Sequence, residues 1–109
     1  MYDLPTQTEA VWINTLQTAI KQPITHLSLY NLTIEPETVF FKKRKALTPK
    51  LPSPDSSLSM YNAALEILPQ GNLLPYEISA FAKAGRHSIH NTGYWTAREF
   101  LGLGPSAYS

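Results

Sequence analysis

Cysteine is missing from all 109 residues. Without a thiolate the chain forms no disulfide and holds neither Cys-ligated zinc nor a Cys-ligated iron–sulfur cluster. An excess of one charge is missing too: nine lysines and arginines stand against eight acids, for a formal +1. That balance removes any global pull toward nucleic acid or an anionic membrane, so nucleic acid is not expected as a partner. No apolar run approaches the roughly 20 residues of a membrane-spanning helix, so no membrane span is expected. Met1-Tyr2-Asp3-Leu4-Pro5 lacks a basic start followed by an apolar core. No secretory leader is therefore expected, and a cytoplasmic location follows as the default. A glycine-rich phosphate loop, a Ser-His-Asp set and zinc-ligand spacing are all absent.

What is present is a chain that is 43% hydrophobic, enough for one packed domain or part of one. Thr6-Gln7-Thr8-Glu9 has the form of a capping box, with Thr6 as N-cap. Trp12, Leu16, Ala19 and Ile20 follow on one helical face, and Pro23 ends a helix expected over 7–21. HLSLYNLTI at 26–34 carries apolar groups in both alternate rows, which suits a strand covered on both faces, and Pro36 closes it. Residues 41–55 are basic and proline-rich and read as a connector; its basic cluster is either a solvated charge run, the plainer reading, or a place for an anion. A second helix is expected over 56–68, capped near Pro54-Asp55-Ser56, with Leu58, Tyr61, Leu65 and Leu68 as its apolar face. A short strand is expected over 76–81. The chain then reads as irregular through Gly93, with a helical turn at 96–100.

Helices alternating with short strands favour a parallel sheet with right-handed crossovers. Two or three strands do not make a satisfactory parallel sheet alone, because such sheets are buried on both faces. The expectation is an α/β slice of a larger protein.

Three stretches carry a resemblance: YDLPTQT at 2–8, LSLYNLTIEPET at 27–38, and HNTGYW at 90–95 followed by FLGLGPSAYS at 100–109. In that order they resemble segments of the oxygen-independent coproporphyrinogen III oxidase-like radical SAM proteins. The H-N-x-x-Y-W element is similar to that of the HemW branch, the haem chaperones. The resemblance implies the C-terminal half of a partial parallel (β/α) radical SAM barrel. The family's CxxxCxxC motif has no counterpart here, so the 4Fe–4S cluster and S-adenosyl-L-methionine cleavage would belong to the complete protein. Asp3 and Thr6 stand where the family pattern has glycine, and Ile89 where an arginine often precedes the His-Asn pair.

Two functions follow from the resemblance. One is haem binding and delivery to a haem-accepting client protein. The other is an oxidase converting coproporphyrinogen III to protoporphyrinogen IX in porphyrin biosynthesis. A third reading is an inactive truncated product. HNTGYW favours the first. His90 would donate a nitrogen lone pair to haem iron, Asn91 would orient it or bond a propionate, and Tyr94 and Trp95 would offer flat faces to the ring. In an irregular loop those aromatics serve equally well as core residues, with His90 a hydrogen-bonded loop residue. His87 is a weaker ligand candidate, and His26, opening a strand, reads as structural.

By matching the family pattern, Thr33 and Tyr108 fall at contacts to S-adenosyl-L-methionine. Thr33 is equally an ordinary β-branched strand residue. Gly102 and Gly104 suggest a close backbone approach or a turn. Glu35 and Glu77 are isolated in the sequence; an acid–base pair needs two carboxylates placed together, which sequence alone does not show.

Overall fold

Trp12 and Leu16 lie one helical turn apart, and both are buried in the computed structural model, which describes residues 1–108. They sit on helix α1, Glu9–Ile20. The cap is Thr8, whose hydroxyl accepts from the Val11 N–H; Thr6 lies earlier, in a turn with φ +65°. The capping-box assignment to Thr6 is thus corrected by two residues. Helix α4, Pro54–Ile67, packs against α1; its cap is Ser53, which accepts from the Ser56 N–H at 3.2 Å.

The buried face of α4 differs from the expected one. Met60 and Ala64 are buried and Leu68 follows in a 3₁₀ turn, whereas Leu58 and Leu65 are exposed. The small Ala64 is fully buried, and the Trp12 indole N–H donates to the Met60 carbonyl at 2.8 Å. That buried bond fixes which face of α4 meets α1. A shape constraint therefore overrides the larger side chains at 58 and 65.

Strand β1, His26–Ser28, is followed by short exposed helices α2, Val39–Lys42, and α3, Arg44–Leu47. Both lie in or beside the expected connector and bury no residue. Strands β2, Leu74–Glu77, and β3, Ala80–Ala82, form a hairpin. The sheet order is β1-β3-β2, and both pairings are antiparallel, with His26 opposite Ala82 and Leu74 opposite Ala82.

The parallel αβαβ order expected from the sequence is corrected here. The single strand expected at 76–81 is broken at Ile78 and Ser79. The Glu77 carboxylate closes the turn, accepting from the Ser79 N–H at 2.9 Å and from its hydroxyl at 2.5 Å. Once the chain reverses there, β3 runs against both neighbours. Among the described residues one parallel contact occurs, an isolated bridge between Tyr2 and Asn31, with Tyr2 N–H donating to Tyr30 and Leu32 N–H to Tyr2. Phe81, Leu73 and Leu29 complete the core between the sheet and the α1–α4 pair.

Candidate functional site

Residues 90–95 are not an irregular loop. Ile89–Trp95 is helix α5, capped by Ser88, whose hydroxyl accepts from the Asn91 N–H at 3.2 Å. The expected turn at 96–100 is instead where the helix ends. Ala97 takes φ +54°, its N–H donates to Tyr94 at 3.1 Å, and Arg98 N–H donates to Gly93 at 2.8 Å. This pair of bonds is a Schellman closure, usually made with glycine at the left-handed position. It turns Arg98 back over Gly93, so that the Arg98 Cδ lies 3.6 Å from where a Gly93 Cβ would be.

The result is a cleft of about 410 Å³ on one face of α5. His90, Gly93 and Tyr94 form the helical wall, with Ile89 beside them; Arg98, Glu99 and Phe100 form the other wall. The His90 and Tyr94 rings meet edge to face at 4.8 Å and 81°, as the i, i+4 spacing allows. Tyr94 meets Phe100 at 4.8 Å and 60°. A ligand entering here finds an imidazole, two aromatic rings, a cation and an anion.

Asn91 and Trp95 do not line this cleft. Trp95 approaches Tyr76 on β2, with ring centroids 6.1 Å apart. His87 stacks flat on the same Tyr76 ring, 4.0 Å away and 6° from parallel. The Tyr76 hydroxyl accepts from the Ser88 N–H at 3.1 Å and meets His26 Nε2 at 2.6 Å. His26 and Tyr76 thus tie the start of α5 to the sheet, so the structural reading of His26 acquires a definite task.

Thr33 and Tyr108 are exposed and line neither this cleft nor the second one. Tyr108 folds back on Gly102, where an added Cβ would strike the Tyr108 carbonyl; Gly104 takes φ +104°. Gly102 therefore supplies the close approach and Gly104 the left-handed turn. Ser109, the last residue of that motif, lies outside the described residues.

A second cleft, about 550 Å³, lies by the Tyr2 and Asn31 bridge, with Asp3, Ser57 and Tyr61 in its wall. The Ser57 hydroxyl donates to the buried Asp3 carboxylate at 2.5 Å. Burial pushes the Tyr2 phenol above its ordinary value, with Asp3 and then Tyr61 adding to the effect.

Known proteins match nearly the whole chain. Heme chaperone HemW of Bacillus subtilis is 34% identical over 108 residues, 99% of this chain and 28% of its own length. HemW of Synechocystis is 37% identical over 106 residues, 97% of this chain and 26% of its own. The chain is similar to part of the HemW haem chaperones. Mouse radical S-adenosyl methionine domain-containing protein 1, named as mitochondrial, is 37% identical over 108 residues, 99% of this chain and 24% of its own length. The chain spans about a quarter of the length of the curated relatives it matches. No family model and no solved structure matches it.

The HemW-like motif thus divides between two helical faces. His90 and Tyr94 share the cleft, while Asn91 and Trp95 lie outside it. Arg98 and Glu99 were missed by reading the sequence, because only the helix end brings them to His90. Among the described residues no helix is long and apolar enough to cross a membrane. Nor do three or more His, Cys, Asp or Glu side chains cluster there. With no cysteine in the sequence, the residues present do not fit a 4Fe–4S cluster.

Proposed function

We propose that the α5 cleft binds haem, with His90 as iron ligand and Tyr94 covering the macrocycle, in a segment of a radical SAM haem chaperone. The observation that carries this reading is the pairing of His90 with Tyr94 in one cleft of a chain related to HemW proteins. The donor set fits haem: an exposed imidazole for iron, Tyr94 and Phe100 for the apolar ring, and Arg98 for an acidic edge. Bound haem would supply the iron coordinated by His90; this chain's part is to hold and orient it. Trp95 braces α5 against Tyr76 instead of touching the ligand.

In the complete protein we assign haem delivery to a client protein, with S-adenosyl-L-methionine contacted through Thr33 and Tyr108. Those two roles rest on the family pattern, as does the parallel barrel. The Tyr2 and Asn31 bridge supports the barrel as a parallel contact that a longer sheet would extend.

Covering one aromatic face contributes about 1–2 kcal/mol, or about 5–30-fold in affinity. Haemin titration of the full-length protein should therefore show that weakening in Tyr94→Ala and little change in Trp95→Ala. The reading fails if Trp95→Ala weakens binding and Tyr94→Ala does not.

A further inference from the structure

Arg98 is placed by the backbone, not by its own side-chain contacts. The Schellman closure at Ala97 sets its Cα opposite Gly93, and the missing side chain at 93 leaves room for its aliphatic stem. The Arg98 Nε lies 3.7 Å from where a Gly93 Cβ would be, so the stem lies over Gly93, in the wall of the cleft that His90 and Tyr94 also line. No side-chain hydrogen bond or ion pair among the described residues engages its guanidinium. Ile89, also at the cleft, offers only apolar surface. A stem held against the helix and a head with unused donors suit recognition of a planar anion, because a guanidinium presents two parallel N–H groups to a carboxylate.

We propose that Arg98 is the carboxylate-recognising residue of the α5 cleft, so that the site selects porphyrins with free propionate arms over the same rings with those arms neutralised. This rests on the haem reading of the cleft. Glu99, on the same wall, repels a carboxylate and limits the acidic edge to the Arg98 side.

The test is titration of the full-length protein with haemin, metal-free protoporphyrin IX and protoporphyrin IX dimethyl ester. Arg98→Gln should weaken both free acids about tenfold, equal to about 1.4 kcal/mol. It should leave ester binding unchanged, and the Soret band of the haemin complex should not move. Arg98→Lys should retain part of the acid preference, since the charge stays and the fork is lost. Equal binding of acid and ester by the wild type, or equal weakening of both by Arg98→Gln, overturns the proposal. The metal-free porphyrin separates this inference from its foundation. Acid–ester discrimination that persists while His90→Ala leaves the haemin spectrum unchanged would remove iron ligation and keep Arg98. A His90-dependent spectrum without discrimination would do the reverse.

Discussion

Thr6 and Asp3 both occupy left-handed backbone, with φ +65° and +62°. Both stand where the resembled pattern has glycine, yet the structure gives opposite expectations for restoring it. A β-branched residue at positive φ is strained, by about 1–2 kcal/mol. Glycine removes that strain but frees the unfolded chain, at about 0.4–1 kcal/mol. Thr6 is exposed, and its hydroxyl donates only to the neighbouring Pro5 carbonyl, at 2.6 Å. Thr6→Gly should therefore stabilise by about 0.5–1 kcal/mol, raising Tm by about 2–6 °C. Aspartate tolerates the left-handed region better, so less strain is released at position 3. Asp3 is also buried and accepts the 2.5 Å bond from Ser57. A hydrogen bond to a charged group contributes about 1.5–3 kcal/mol, which outweighs the relief. Asp3→Gly should destabilise by about 1 kcal/mol. Urea unfolding of the two variants reads the sign directly. Loss of stability in Thr6→Gly, or a gain in Asp3→Gly, would refute the reasoning.

Three further expectations concern the frame of the fold. Gly71→Ala should destabilise by about 1–3 kcal/mol in thermal unfolding, since the new Cβ would meet Ile20 Cβ at 2.7 Å; Ile20→Ala should not restore the loss, because alanine keeps that Cβ. Tyr2 favours its neutral form when folded, so its contribution is fully present below pH 10.0 and is lost as pH rises through the raised folded value. Unfolding measured across that range should show the decline in wild type and a flatter profile in Tyr2→Phe. Tyr76→Phe keeps the ring stack but removes the hydroxyl that meets Ser88 and His26, so the Ser88 amide should exchange with solvent faster. Unchanged protection there would show that Tyr76 does not anchor α5.

The two long helices were legible because Trp12 and Leu16 repeat at helical spacing and Pro23 punctuates the chain. Their details were less so. Thr6 and Thr8 both suit a cap, and only the turn at Thr6 decides between them. The sheet direction depended on Ser79 and Glu77, whose side-chain closure of a two-residue turn has no glycine to announce it. Helix α5 was hidden for two reasons. Gly93 disfavours a helix interior, and Ala97 stands where a helix end usually has glycine. His90 and Tyr94 could be picked out as candidates by motif. Their separation from Asn91 and Trp95, and the arrival of Arg98, follow only from α5 being a helix.

Haemin titration of the full-length protein, comparing wild type with His90→Ala, bears most directly on the cleft as a haem site. His87→Ala is the internal control, because His87 stacks on Tyr76 and does not line the cleft. His90→Ala should shift the Soret band and weaken binding, while His87→Ala should keep the wild-type spectrum and affinity. Haemin bound by His90→Ala with unchanged spectrum and affinity would contradict the assignment and place the iron ligand elsewhere.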